Sequence, residues 1–173
     1  MAVGVSYLAK IKRAVRTVST ASDISTELTD LIEECRADLI RLGVLSTKAN
    51  DETDVLILGA VRSFVRWKFA QDEKEAVWNQ QDYLVQRDEL RRNRDYVYVA
   101  ITFTVKTSGA VAIPDALITF NGESKYTDST GTAIFYYVSA GQNQVYTISA
   151  DGYTTVSAYL DVSATATVAV TLT

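Results

Sequence analysis

Hydrophobic positions along this 173-residue chain follow two different periods, and the change falls near Tyr96. Before it, apolar residues recur at steps of three and four. Leu8, Ile11, Val15 and Val18 predict a short amphipathic helix over about 6–18, with Lys10, Lys12, Arg13 and Arg16 between them. Ser22 or Asp23 caps a second helix carrying Ile24, Leu28, Leu31, Ile32, Cys35, Leu39 and Leu42 on one stripe, and Gly43 stops it. A polar loop over 46–52 leads to a third helix, about 53–71. Its apolar residues cover most of the circumference, so it is expected to be the most buried. A charged turn, Asp72 to Glu75, opens a fourth. There Ala76, Val77, Trp78, Leu84 and Val85 are expected to pack, whereas 86–95, with Leu90 as its only apolar residue, is expected to project from the bundle or meet a polar partner.

After Tyr96 the period falls to two. Val97, Val99, Ile101, Phe103 and Val105 alternate with small or polar residues, as in a strand with one buried face. Asn121-Gly122 is a hairpin-turn dipeptide, and Gly109, Asp128 to Gly131, Gly141 and Asp151-Gly152 mark further turns. Between them Ala116, Ile118 and Phe120, then Ala133, Phe135 and Tyr137, then Tyr146, Ile148 and Ala150 each predict one inward face. Val156, Ala158, Leu160 and Val162, and finally Ala166, Val168, Val170 and Leu172, do the same. The fold class expected is α+β as two segregated domains. Residues 1–95 form a small four-helix bundle, and 96–173 an all-β sandwich of about seven strands.

Charge sharpens the division. Residues 1–95 hold 15 Lys+Arg and 16 Asp+Glu, against 2 and 5 in the remainder, and eight of the ten tyrosines follow residue 95. Neither part has the basic field that drives autonomous nucleic-acid binding. With no histidine and one cysteine, Cys35, the chain has no Ser–His or Cys–His pair, thiolate metal cluster or intrachain disulfide. Cys35 reads as a core residue. Carboxylates at Glu33/Glu34 and at Asp72/Glu73/Glu75 read as solvated helix faces and a turn. Asp128 beside Ser129 and Gly131 lacks calcium-loop spacing and reads as a turn. No enzyme, cofactor or metal is expected. The amino-terminal stretch lacks the form of a signal peptide, and no run approaches the roughly 20 apolar residues of a membrane span, so a soluble protein made in the cytoplasm is expected. Arg91, Arg92 and Arg94 form the one basic cluster. It suits either a helix carboxyl end or contact with an acidic neighbour or DNA phosphates.

Two resemblances carry further expectations. Tyr7 to Lys12, then Leu28, Leu31-Ile32, Cys35 to Leu39 and Leu42-Gly43-Val44, then Asp54 to Ile57, Ala60-Val61 and Phe64-Val65 resemble the head–tail connector (adaptor) family of tailed bacteriophages over about 3–95. Residues 114–122, 127–135 and 150–155 resemble immunoglobulin-like or carboxypeptidase-regulatory-like β-sandwiches. The first resemblance implies a homo-oligomeric, typically dodecameric, ring beneath the portal protein in the virion neck. Such a ring extends the DNA channel without sequence-specific binding and docks tail or head-closure proteins. Residues 86–95 would then contact portal, a neighbouring subunit or the channel, with Arg87, Arg91, Arg92 and Arg94 as the contact residues. The sandwich would add contacts to capsid protein, tail components or glycans. The alternative is a carbohydrate- or cell-surface-binding module anchored by the helices.

Overall fold

The computed structural model describes residues 2–173. The chain divides into two compact units, a helical one up to Val97 and a strand one from Tyr98 to Thr173. Among the described residues the fold is α+β, with six helices and two sheets of three and four strands. The helices are α1 (Val5–Ala14), α2 (Ser22–Arg41), α3 (Ser46–Ala49), α4 (Val55–Phe69), α5 (Glu73–Arg92) and α6 (Arg94–Val97). None among the described residues is long and apolar enough to cross a membrane.

Six helices rather than four reflect two local anchors. The expected loop at 46–52 begins as α3 because Leu45 and Ala49, one turn apart, are both buried. The expected fourth helix is cut at Asn93, whose side-chain oxygen accepts from the Asp95 amide at 3.0 Å and starts α6. Helix α1 also ends early. Arg16 takes φ 58°, and the amides of Arg16 and Thr17 close on the carbonyls of Arg13 and Lys12, a Schellman closure that leaves Val18 97% exposed. Gly43, with φ 99°, closes α2 in the same way, its amide on Ile40 and that of Val44 on Leu39.

Helix α4 is the centre of this unit. Asp54 caps it by accepting from the amides of Leu56 and Ile57 at 2.8 and 3.1 Å. Ile57, Leu58, Ala60, Val61, Phe64 and Val65 are buried against Tyr7 and Ile11 of α1 and Leu28, Ile32, Cys35 and Leu39 of α2. Helix α5 reverses its expected polarity. Val77, Trp78, Leu84 and Val85 are exposed, Trp78 to 71%, whereas Tyr83 and Leu90 are buried. Of the two expectations for 86–95, the polar partner is the one met, by Gln86 at Ser63 and Arg87 beside Asp38, while the segment expected to pack faces outward.

The strand unit contains β1 (Tyr98–Thr107), β2 (Leu117–Phe120), β3 (Glu123–Tyr126), β4 (Thr132–Ser139), β5 (Gly141–Ser149), β6 (Val156–Val162) and β7 (Ala166–Leu172). One sheet runs β4-β1-β7 and the other β3-β2-β5-β6; all neighbours are antiparallel except β1 and β7. Aromatic rings join the sheets. Phe103 of β1 meets Phe120 of β2 at 5.3 Å and Tyr146 of β5 at 5.1 Å, and Phe135 of β4 meets Phe120 at 5.6 Å. Asn121 and Gly122 both take positive φ, 51° and 76°, as the two-residue hairpin from β2 to β3 requires. Gly131 has no room for a side chain, since a Cβ there would lie 2.4 Å from the Val105 carbonyl oxygen.

Tyr137 departs from the expected alternation. Val99 pairs with Val138 and Ile101 with Phe135, so one residue of β1 faces two of β4. In this bulge Tyr137 takes φ 59° and lies 57% exposed, while Phe135 and Val138 both turn inward. On the side where β3 and β4 are the outer strands, Lys125 Nζ donates to the Ile134 carbonyl at 2.8 Å and ties the two edges together.

One buried charge joins three parts of the helical unit. Arg36 is 3% exposed, lies over the Tyr7 ring at 5.2 Å and donates to Glu52 Oε1 at 3.0 Å, and the same oxygen accepts from the Gly4 amide at 2.9 Å. Nε and Nη1 of Arg36 find no further acceptor among the described residues. A guanidinium so poorly matched depends on its one carboxylate. Glu52→Ala is therefore expected to cost about 3 kcal/mol by leaving a buried charge alone, whereas Arg36→Met, which removes that charge and keeps the bulk, costs roughly 1 kcal/mol or less. Urea unfolding midpoints of the two variants check this asymmetry; equal losses would refute it.

Candidate partner-contact site at the end of the long polar helix

Helix α5 carries few apolar residues, so polar side chains set its attachment. Asp72 caps its start, accepting from the amides of Lys74 and Glu75 at 2.8 and 3.0 Å. Midway, Ser63 of α4 donates to Asp82 Oδ2 at 2.9 Å, and Gln86 Nε2 donates to Ser63 Oγ at 2.9 Å and to Asp82 Oδ2 at 3.1 Å. Gly59 leaves room for the Gln86 amide in this position, since a Cβ there would lie 2.7 Å from Gln86 Oε1.

Beside this triangle lies a second polar knot centred on Asp38. The Tyr83 hydroxyl donates to Asp38 Oδ2 at 2.6 Å, and Arg41 donates to Oδ1 at 2.6 Å. The Tyr83 ring meets Phe64 edge-on at 4.9 Å and stacks on Trp67 at 6.3 Å. Burial, the neighbouring Cys35 and the Asp38 carboxylate push the Tyr83 hydroxyl far above its ordinary range, so it remains a donor. Burial alone would raise Asp38. The hydrogen bonds from Tyr83 and Arg41, with the charges of Arg41 and Arg87, outweigh it and hold the carboxyl below its usual value. Cys35 is fully buried and its thiol is pushed up, chiefly by desolvation.

The four arginines proposed from sequence now separate. Arg87 is turned inward. Its guanidinium lies 6.0 Å from the Tyr83 ring centre, 3.9 Å from Asp38 and 3.7 Å from Asp88. Arg91 and Arg92 occupy the last turn of α5 and Arg94 opens α6; all three are exposed. Their placement favours the carbonyl end of the helix dipole. Two anchors fix the corner that carries them. Leu90 is 3% exposed, and Tyr96 is buried with its hydroxyl donating to Asp54 Oδ2 at 2.6 Å and its carbonyl accepting from the Leu45 amide at 2.8 Å. The result is a corner that exposes three arginines, with Glu89 and Asp95 exposed beside them. Asp38 and Tyr83, which organise it, carried no motif; the spacing of Asp38 to Arg41 was the one available signal.

Among the described residues no side chains converge as a metal or catalytic cluster. No group of three or more His, Cys, Asp or Glu side chains clusters among the described residues. Asp128 Oδ1 is occupied by the Thr130 amide and hydroxyl and the Thr132 amide, at 2.8, 2.6 and 2.9 Å, as in a side-chain-closed turn. A hollow of about 710 Å³ beside α1, α4 and α5 is lined by Val15, Ile24, Arg66, Phe69 and Trp78.

No family model matches the chain, and no curated protein matches it. Similar solved structures include two mutants of a type II cohesin–X-dockerin complex from Acetivibrio cellulolyticus. They show 20% and 21% identity and TM-scores of 0.35 and 0.33, each over 41% of this chain and 51% of that chain. A protein of unknown function from Bacteroides fragilis shows 22% identity and a TM-score of 0.35 over 43% of this chain and 27% of that one. The chain thus spans about half the length of the cohesin–dockerin chains it matches. Likeness at these scores carries no functional weight.

The lowered Asp38 carboxyl gives a signed pH dependence. Its contribution is complete above the unfolded value of about 3.9 and is lost as pH falls through the lower folded value. Asp38→Asn is expected to destabilise the chain at pH 7, with the gap to the native protein narrowing steadily below about pH 4. Thermal melts from pH 7 to 2.5 test this; a gap independent of pH would remove Asp38 from the role assigned to it.

Proposed function

We propose that this chain is a structural assembly protein of a tailed-phage virion, a head–tail connector acting in the neck. The four longer helices α1, α2, α4 and α5 would form the adaptor bundle, and the strand unit an immunoglobulin-like sandwich for accessory contacts. In this reading the helical units form a dodecameric ring on the portal protein, extend the DNA channel and dock tail or head-closure proteins. The observation that carries it is the surface of α5. A basic corner at Arg91, Arg92 and Arg94 is pinned by Leu90 and Tyr96, while Val77, Trp78 and Val85 stay uncovered. A small helical unit that holds its polar helix rigidly and leaves that helix's apolar side to solvent has the form of an assembly part.

Exposed tyrosines favour a second reading. Tyr126 and Tyr159 are 67% and 71% exposed, and such rings suit stacking on sugars of a glycan or cell surface. A glycan array probed with the full chain tests that reading.

Light scattering of the full chain, alone and mixed with portal from the same source, tests the first. A ring-sized species is expected, and Arg91→Glu with Arg92→Glu should weaken association with portal by roughly tenfold or more while helical circular dichroism is kept and the melting temperature falls only by about a few degrees, the cost of reversed charge at the helix end. A monomer that ignores portal would overturn the connector assignment.

A further inference from the structure

Sheet edges expose backbone donors and acceptors, and native chains protect them with charge, bulges or covering segments. Three of the four edge strands here are protected. β4 has its Ile134 carbonyl occupied by Lys125 Nζ at 2.8 Å. β3 carries Glu123 and Lys125, whose charged groups lie 3.6 Å apart. β6 carries Asp161, which accepts from the Asn143 amide at 2.8 Å across an irregular pairing with β5. Apart from the Thr154 amide, which donates to the Thr173 carbonyl just beyond its end at 2.9 Å, β7 has none of these devices. It pairs with β1 along seven residues, Ala166 to Leu172, and is the last strand of its sheet. From Ser163 to Thr173 there is no charged residue, glycine or proline. Ala166, Thr167, Ala169 and Thr171 are exposed, and every second residue of β7 directs its N–H and C=O away from β1.

We propose that the free edge of β7 pairs antiparallel with β7 of a second copy of this chain. Charge and alternation both favour a second copy as the occupant. Two β7 strands bring no like charges together, whereas the other edges would confront their own Lys, Glu or Asp. Full overlap centres on Ala169 and sets Thr167 opposite Thr171 and Val168 opposite Val170. Residues facing the core in one copy therefore align with core-facing residues in the other, and exposed with exposed. Two three-stranded sheets become one continuous sheet, in the order β4-β1-β7-β7-β1-β4. The twofold contact is isologous and closes on itself, so it yields a discrete dimer. It is independent of the connector reading, because it uses only the strand unit and links copies whether or not the helical unit forms a ring.

Thiol trapping on the full chain tests it. Cys35 is fully buried, so a cysteine introduced by Ala169→Cys is the sole accessible thiol. At the twofold axis the paired Cα atoms lie about 4.5 or 5.5 Å apart, and both separations are within disulfide reach. Under mild oxidation Ala169→Cys should give a dimer that reductant dissolves, at least tenfold faster than Tyr126→Cys on the exposed β3 edge. Ala169→Lys should weaken dimerisation at least tenfold by sedimentation while its circular dichroism and melting temperature stay native. Failure of Ala169→Cys to cross-link, or cross-linking no faster than Tyr126→Cys, would overturn the proposal. A ring built by the helical unit neither mimics nor masks this residue-specific result.

Discussion

The rotation of α5 about its own axis is the constraint on which the helical unit depends, and the buried hydroxyl of Tyr83 sets it. Successive residues of an α-helix turn by about 100°. With Tyr83 directed at Asp38, Leu90 falls within about 20° of the same direction, and Gln86 and Arg87 flank it within about 60°. Those are the residues that meet α2 and α4. Trp78 and Val85 then lie about 140° and 160° away, on the opposite side. A hydrogen bond of this kind contributes only about 1 kcal/mol net, more with a charged acceptor. Its strength is therefore not what matters. Its direction is, because an apolar contact at Leu90 alone tolerates many rotations and a 2.6 Å bond to Asp38 tolerates few.

The same geometry accounts for the error in reading α5 from sequence. Counting apolar residues assigns the packing face to Val77, Trp78, Leu84 and Val85, since Tyr83 and Leu90 look isolated among polar neighbours. An amphipathic ring defines a packing face only when its hydroxyl has a partner, and that partner is 45 residues away on α2. The other helices were more legible because their stripes are apolar throughout. Leu28, Ile32, Cys35 and Leu39 are all buried, as the spacing predicts, and Gly43 ends α2. Where α1 ends was hidden because Arg16, not glycine, adopts the positive φ.

In the strand unit, alternation is informative wherever pairing is regular. Val99, Ile101, Phe103 and Val105 are buried as the period of two requires, and Asn121-Gly122 forms its hairpin. The bulge in β4 breaks this logic without a sequence signal. One extra residue shifts the parity, so Tyr137 moves outward and Val138 takes its place. A glycine at that position would have marked it; a tyrosine with φ 59° does not. Phe103, touching rings on both sheets, tolerates no such slip, and the register near it is regular.

The arginines proposed as contacts at the end of α5 could not be sorted from sequence alone. Arg87, Arg91 and Arg92 share a charge and a helix. Measured from Tyr83, they lie at about 40°, 80° and 180° around the axis. Arg87 thus belongs to the packing face, where it compensates Asp38. Arg91 stands at the margin and Arg92 points away. A partner surface would meet Arg92 and Arg91 first, and would reach Arg87 only by disturbing the knot that fixes the helix. Arg91 and Arg92 face solvent and interact with the helix end only through its dipole, so they can move without disturbing that knot.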